Sequence, residues 1–378
     1  MKKSFCLFCA NYLPNLGGIE RYVYNLSKSL IDLGHDVTVV TSNVFDLPSY
    51  EVDENGIEIF RMPCYSFMKG RYPVLKKNGD FKNLDKKLSQ KHFDLVIINA
   101  RFYIHSLYAA NFAKKNNIKC ITIEHGSTHL SVDNKILDFA VAHVEHFVTL
   151  LLKKKCSDYY AVSKAAGEWS EHFGIKSKGT LYNAIDIDSV KVASQKKICD
   201  YRKQYNISTD ATVITFTGRL LKIKGVYELL DAFKTINRDD LYLFYAGDGP
   251  EMDELKSKAN DHVFFLGKID FDHIISLLDT SDIYCLPSVS EGMSTSILEA
   301  VATNTFVITT YNGGARELII SDEYGVITKS NTVEETKAAL EKAFDEQYRK
   351  NAIEKAYQKL LDGFTWQKTA ENLENLVK

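Results

Sequence analysis

Short, nearly unbroken apolar runs alternate with stretches whose apolar residues recur at helical spacing, and this chain goes through that alternation twice. Phe5 to Ala10 reads as a strand, Ile19 to Leu33 carries helical spacing, Gly34 ends that helix, and Val37 to Thr41 is the next strand. Strand-like runs follow at Ile57 to Arg61, Leu95 to Asn99, Cys120 to Glu124 and Tyr160 to Ser163, with helical spacing at Asn83 to Ser89, Tyr103 to Lys115 and Lys135 to Leu152. The polar stretch Asp188 to Lys197 reads as an interdomain connection. The alternation then restarts, with strands at Val213 to Thr217, Leu241 to Ala246, Val263 to Leu266, Ile283 to Leu286, Phe306 to Thr309 and Gly325 to Ile327.

Strands apolar on both faces need cover on both sides, which parallel sheets wrapped by helices provide. The expected fold class is therefore α/β, two doubly wound parallel-sheet domains. A length of 378 residues fits two domains. The expected bounds are 1–187 and 188–364, with a C-terminal helix at 365–378 packing back on the first domain. Ligands of such sheets bind at the carboxyl ends of the strands, so the site is expected on strand-to-helix loops, in a cleft across which the domains face.

Charge and cysteine content narrow the class further. The formal net charge is -2, which argues against a nucleic-acid binder. That total hides an imbalance: residues 1–180 hold 24 basic against 18 acidic side chains, and 181–378 hold 23 against 31. Much of the excess lies in Cys64 to Lys91, where Lys69, Arg71, Lys76, Lys77, Lys82, Lys86, Lys87 and Lys91 face Asp80 and Asp85. Tyr65, Phe67, Met68, Tyr72, Val74, Leu75 and Phe81 interleave with them, as in a surface lying on anionic lipid; a solvated lysine-rich face is the alternative. Seven scattered cysteines suggest a reducing compartment, and Cys6-x-x-Cys9 inside a strand reads as structural thiols. The apolar run after Met1-Lys2-Lys3 is too short for a signal peptide and reads as a buried strand. Ile136 to Leu152 is broken by Asp138, His143, Glu145 and His146, so no transmembrane helix is expected.

Unusual residues gather on the expected loops. Gly17-Gly18 opens a helix, where amides without a Cβ in the way suit an anion. Gly218-Arg219 closes a strand and Lys224-Gly225 opens a helix; Arg and Lys at the two ends of one loop can converge on a diphosphate. Gly247-Asp248-Gly249-Pro250 ends another strand, but Met252 stands where a dinucleotide fingerprint needs its third glycine. The densest cluster is Glu291-Gly292-Met293-Ser294-Thr295-Ser296-Ile297-Leu298-Glu299. Two carboxylates flank a glycine and a hydroxyl-rich helix start, which suits the vicinal hydroxyls of ribose and hexose.

Taken together, these residues resemble the large family 4 of retaining glycosyltransferases with the GT-B fold, typified by bacterial polysaccharide and lipid glycosyltransferases. The matching segments run in order along nearly the whole chain. They are Gly17-Gly18-Ile19-Glu20-Arg21, Gly34-His35-Asp36-Val37, Glu124-His125-Gly126, Ala161-Val162-Ser163-Lys164, Asn183-Ala184-Ile185-Asp186, Gly218-Arg219 to Lys224-Gly225, Gly247-Asp248-Gly249-Pro250, Glu291 with Glu299, Gly313-Gly314 with Glu317, and Phe364-Thr365-Trp366. Tyr182 and Ala184 depart from the family pattern at the domain connection.

The resemblance implies residue roles. Arg219 and Lys224 neutralise the donor diphosphate, Glu299 binds ribose hydroxyls, and Glu291 holds sugar hydroxyls near the reacting carbon. His125 sits at the donor sugar. Amides around Gly17, Gly18, Gly218 and Gly292, and from Met293 to Thr295, add donors to phosphate and sugar. It also implies front-face retention. Asp186-Ile187-Asp188 imitates an Asp-x-Asp metal site, but Arg219 and Lys224 already supply positive charge, so neither a metal nor another cofactor is expected. The implied partners are a nucleotide-sugar donor, UDP-linked by family frequency, and a glycan or lipid-linked acceptor. The expected location is cytoplasmic, with a peripheral site on the inner face of the membrane if the basic segment binds lipid. A nucleotide-sugar epimerase of the same fold and a non-catalytic partner subunit are the competing readings.

Overall fold

Nine strands precede residue 182 in the computed structural model, which describes residues 1–15, 17–126, 128–129, 135–289, 293–311 and 313–377. They are β1 (Ser4–Phe8), β2 (Asp36–Ser42), β3 (Tyr50–Val52), β4 (Glu58–Met62), β5 (Cys64–Phe67), β6 (Tyr72–Leu75), β7 (Leu95–Asn99), β8 (Cys120–Glu124) and β9 (Asp158–Ala161). Seven form one sheet in the order β3-β4-β2-β1-β7-β8-β9. β3 runs antiparallel to β4 and the other neighbours are parallel, with Phe5 level with both Val37 and Leu95. β1 and β7 are buried on both faces, the condition that their unbroken apolar runs predict.

Six strands follow: β10 (Thr212–Thr217), β11 (Leu241–Ala246), β12 (Val263–Gly267), β13 (Ile283–Leu286), β14 (Phe306–Thr310) and β15 (Val326–Thr328). They form an all-parallel sheet in the order β12-β11-β10-β13-β14-β15. In each sheet the winding starts at a central strand, runs outward one way and then reverses. The reversal falls between β1 and β7 in the first sheet and between β10 and β13 in the second, the points where doubly wound sheets hold ligands.

Chain contacts divide the molecule into two units, Met1–Tyr182 with Trp366–Lys378, and Asn183–Thr365. The first helix, Gly18–Asp32, buries Tyr22, Leu26 and Leu30 at four-residue intervals together with Val23. Each fully buried leucine contributes roughly 1.5–3 kcal/mol relative to exposure. The C-terminal helix Trp366–Glu374 packs on this first helix, with the Trp366 ring edge-on to Tyr22 at 5.2 Å. Thr369 Oγ1 donates to the Tyr182 carbonyl at 2.9 Å, and Lys119 Nζ donates to the Leu376 carbonyl at 2.9 Å.

Several local expectations need correction. Asp188 to Lys197 is not a loose connection: Ile187–Lys196 is a helix of the second unit that buries Val190 and Ala193. Two apolar anchors in a polar stretch are too few for periodicity to reveal. Asp186, whose Asp-x-Asp spacing only imitates a metal site, is its N-cap, accepting from Asp188 N at 3.1 Å, Ser189 N at 3.0 Å and Ser189 Oγ at 2.7 Å. The strand expected at Tyr160 to Ser163 ends at Ala161, because the Ser163 hydroxyl caps the next helix by accepting from Ala166 N.

The Cys64 to Lys91 segment is an antiparallel hairpin, β5 with β6, followed by helix Gly79–Ser89 capped by Asn78. Leu75 and Phe81 are core residues and so are unavailable to any surface, whereas Tyr65, Phe67 and Met68 are exposed. All seven cysteines are free thiols; Cys6 and Cys9 are buried, and burial pushes both well above the ordinary thiol range. Among the described residues no helix is long and apolar enough to cross a membrane.

Candidate functional site

In the second unit the reversal point is built from three strand ends joined by backbone hydrogen bonds. Gly218 N donates to the Ala246 carbonyl at 2.9 Å and Leu220 N to the Asp248 carbonyl at 3.0 Å, joining the turn after β10 to the turn after β11. Val289 N and Ser288 Oγ both donate to the Ile223 carbonyl, at 2.8 and 3.1 Å, joining the same loop to the end of β13. The approach is so close that side chains are excluded. A Cβ on Gly247 would stand 1.8 Å from the Gly218 carbonyl oxygen, and one on Gly225 (φ 72°) would stand 2.1 Å from that of Pro287. The loop so held carries Arg219, which is exposed, and Lys224, which is half-buried.

Beyond β13 the chain reaches Met293, Ser294 and the eight-residue helix Thr295–Ala302. Ser294 is the N-cap residue but makes no side-chain cap bond; its hydroxyl lies 2.8 Å from Ser296 Oγ, which also accepts from the buried Tyr284 hydroxyl at 2.6 Å. The first-turn amides are thus free of a serine cap and suit an incoming anion. Asn183 Nδ2 donates to the Met293 carbonyl at 3.0 Å and fixes this turn from below. Glu299 is 8 % exposed, one turn into the same helix. Gly218, Arg219, Lys224, Met293, Ser294, Thr295 and Glu299 therefore gather at the carboxyl ends of β10 and β13. Glu291 and Gly292 lie outside the described residues.

In the first unit the corresponding helix start is filled. Gly17 is the N-cap, and the Glu20 carboxylate turns back toward it, accepting from Asn15 Nδ2 at 2.9 Å. Burial raises the Glu20 pKa, and hydrogen bonds from its own amide, Asn15 and the Gly17 amide counter that rise. The anion at the Gly17 amide is thus supplied by the chain itself.

His125 follows β8 directly. Its Nε2 lies 3.1 Å from Asn99 Oδ1, while Asn99 Nδ2 donates to the Phe8 carbonyl at 3.2 Å. With its amide nitrogen so engaged, Asn99 presents oxygen to the ring, which fixes the Nε2–H tautomer and leaves Nδ1 as an acceptor. Burial lowers the His125 pKa to about 3, so the imidazole is neutral. Tyr22 packs edge-on against it at 4.8 Å and donates its hydroxyl to the Leu181 carbonyl at 2.9 Å.

Beside His125 stands a buried ion network that sequence reasoning missed. Arg101, 1 % exposed, has Nε 2.5 Å from Glu124 Oε2, an ion contact rather than an aligned hydrogen bond. Its Nη2 donates to Glu145 Oε1 at 2.6 Å, Nη1 to Thr149 Oγ1 at 3.1 Å, and its plane lies over the Phe173 ring at 3.5 Å. The other Glu124 oxygen accepts from the amides of His125 and Gly126, at 3.0 and 2.9 Å. Arg101 thereby sets the backbone that carries His125. Burial raises the Glu124 pKa against the opposing pull of Arg101 and these amides.

Two surface features accompany the site. The hairpin and helix of the basic segment line a polar cavity of about 410 Å³ with Arg61, Lys76, Lys87, Asp46 and Asp80 among its walls. Helix Lys135–Lys153 exposes Phe139, Phe147 and Leu150, at 70, 61 and 53 %, at helical spacing.

Two family models match the chain, one in each half: Glycosyltransferase Family 4 over residues 16–189, and Glycosyl transferases group 1 over 198–359. The chain belongs to the family 4 glycosyltransferases. This glycosyltransferase is 26 % identical to an uncharacterized glycosyltransferase of Methanocaldococcus jannaschii, covering 100 % of this chain and 98 % of the other. It is 24 % identical to the phosphatidylinositol N-acetylglucosaminyltransferase GPI3 subunit of Saccharomyces cerevisiae, over 90 % of this chain and 75 % of that one. Among solved structures, Anabaena HepE in complex with UDP superposes with a TM-score of 0.75 at 19 % identity, covering 99 % of each chain. The shared fold is GT-B, two Rossmann-like domains.

Proposed function

We propose that this glycosyltransferase moves a hexose or N-acetylhexosamine, with retention, from a UDP-sugar to a glycan or lipid-linked acceptor in surface polysaccharide biosynthesis. The observation that carries this reading is the second-unit loop with Arg219 and Lys224 at its two ends, clamped by Gly225 to the end of β13, next to the start of helix Thr295–Ala302, where Ser294 makes no side-chain cap bond. Breaking the sugar–phosphate bond builds negative charge on the diphosphate. Fixed cations and open amides at that point act mainly on the transition state. Glu299 on the same helix takes the ribose hydroxyls, and Glu291 holds sugar hydroxyls.

His125 joins the reading through its Nδ1 lone pair, which accepts a sugar hydroxyl without carrying charge. In front-face retention the acceptor hydroxyl approaches on the side of the leaving group and passes its proton to the departing phosphate oxygen. The cations on the loop make a metal unnecessary to this step. A phosphate arriving at the first-unit helix start meets the Glu20 carboxylate, so the Gly17 amide joins only once Glu20 turns away. Anabaena HepE, with UDP bound, supports the choice of base, and the yeast relative, named for phosphatidylinositol, supports a lipid-linked acceptor. We place the enzyme in the cytoplasm, peripheral on the inner membrane face. Tyr65, Phe67 and Met68 with the lysines around them, and the exposed stripe of helix Lys135–Lys153, suit an anionic lipid surface; basic residues near such a surface contribute about 1 kcal/mol each.

The test is incubation with a panel of nucleotide sugars, with and without lipid-linked and glycan acceptors. Nucleotide release that depends on acceptor is expected. Release without acceptor supports the epimerase, and no turnover of any donor supports a non-catalytic subunit.

A further inference from the structure

Three histidines of the first unit meet at the surface: His129 between β8 and the next helix, His146 on helix Lys135–Lys153, and His172 in the turn Glu171–Phe173. One ring nitrogen from each lies within 4.8 Å of the other two. His146 Nε2 and His172 Nε2 are 3.3 Å apart. Two nitrogens on one tetrahedral zinc, each bonded at 2.0–2.1 Å, stand about 3.3–3.4 Å apart, so this pair already has the spacing of two ligands.

The third histidine is oriented by its neighbours. His129 Nδ1 is 2.8 Å from Glu145 Oε2, and the other Glu145 oxygen holds Arg101. A carboxylate on one ring nitrogen is the usual partner of a metal-bound histidine; it fixes the tautomer and turns the second nitrogen, here Nε2, outward as a ligand. The rings are also held by packing. Trp169 stacks on His172 at 5.0 Å with planes 5° apart, and Phe173 lies within 5.7 Å of all three imidazoles. Closing the triangle from within 4.8 Å to the spacing of metal ligands needs only side-chain movement.

We propose that His129, His146 and His172 bind one divalent transition-metal ion, zinc or a metal of like preference, with water at the fourth position. Imidazole ligands suit this group of metals, whereas magnesium and calcium prefer oxygen. The ion ties the segment after β8 to the following helix and to the Glu171–Phe173 turn, and so stabilises the first unit. The site lies outside the residues assigned to sugar transfer and does not depend on that assignment.

The test uses the full chain without a histidine tag. Titration with Zn²⁺ followed by calorimetry is expected to give one site of micromolar or tighter affinity. Titration with Co²⁺ is expected to give the strong visible absorption of a tetrahedral site and to quench tryptophan fluorescence through Trp169. His146→Gln and His172→Gln, at exposed positions that leave the fold intact, are each expected to weaken Zn²⁺ binding at least tenfold, and the double variant to lose the cobalt spectrum. Glu145→Gln tests the orienting carboxylate, with an expected loss of about 10-fold to 100-fold. Millimolar binding, an octahedral cobalt spectrum, or unchanged binding in the double variant would each overturn the proposal.

Discussion

Replacing Arg101 with methionine isolates the charge at the centre of the buried network. Methionine keeps a long flexible stem against Phe173, so most of the packing survives, while Glu124 and Glu145 lose a cation that stands 2.5 and 2.6 Å away. Breaking a buried ion pair by removing one partner costs about 3–5 kcal/mol. Two pairs share this arginine, yet Glu124 retains two amide donors and Glu145 retains His129. The expected loss at neutral pH is therefore about 3–5 kcal/mol rather than twice that. Both tryptophans, Trp169 and Trp366, belong to the first unit, so urea unfolding followed by tryptophan fluorescence reads that unit alone. The deficit also has a pH signature. Burial already holds the folded Glu124 carboxyl above its unfolded pKa, and losing Arg101 raises it further. Between those two values the folded state binds more protons than the unfolded one, so stability falls as pH rises through the window. The difference between Arg101→Met and the parent should thus be largest near pH 7 and shrink as pH falls toward about 4.5. A loss below about 1 kcal/mol, or one independent of pH, would refute the buried network as drawn.

Arg219→Ala and Lys224→Ala should each lower kcat by on the order of 10²-fold to 10³-fold in the acceptor-dependent assay, and a fully active double variant would remove both from the transition state. Gly225→Ala should raise KM for the donor and lower the calorimetric melting temperature of the second unit, since strain at a positive φ costs about 1–3 kcal/mol before the clash with Pro287 is counted; a variant with parental KM and melting would contradict the clamp. Burial lowers the pKa of His125 to about 3 and that of His105 to about 4, so their neutral forms favour folding above the unfolded value near 6.5. The histidines' contribution to first-unit stability should then fall as pH drops from about 6.5 toward 4, by up to about 1.4 kcal/mol per pH unit each, and His125→Asn should remove its share of that slope. Transfer should persist in EDTA when measured in the His146→Gln/His172→Gln background, and restoration of lost activity by a divalent ion would argue for a metal in the reaction.

Much of this architecture is legible in the sequence because buried parallel strands leave a signal that needs no neighbours to interpret. The runs at Leu95 to Asn99 and Ile283 to Leu286 are apolar on both faces and coincide with strands beside the two reversal points. Arg219 and Lys224 could be paired on paper since one loop spans both. What escaped depends on residues distant in the chain. Arg101 meets Glu145 across 44 positions, and His129, His146 and His172 come from three separate elements, so no spacing rule joins them. Glu20 escaped for the opposite reason: its backward turn onto Gly17 is local, but glutamate in a first turn is ordinary and its side-chain direction is not written in the sequence. Linear order also cannot separate Leu75 and Phe81, which face the core, from Tyr65 and Phe67, which do not.

The return of the chain end to the first unit imposes an order on synthesis. The second unit is complete once Thr365 has left the ribosome, whereas the first still lacks the helix that covers Tyr22 and the Tyr182 carbonyl. Domains generally fold as units while the chain is being made. Here the earlier-made domain is completed after the later one, because its last helix is made only once Asn183–Thr365 is out.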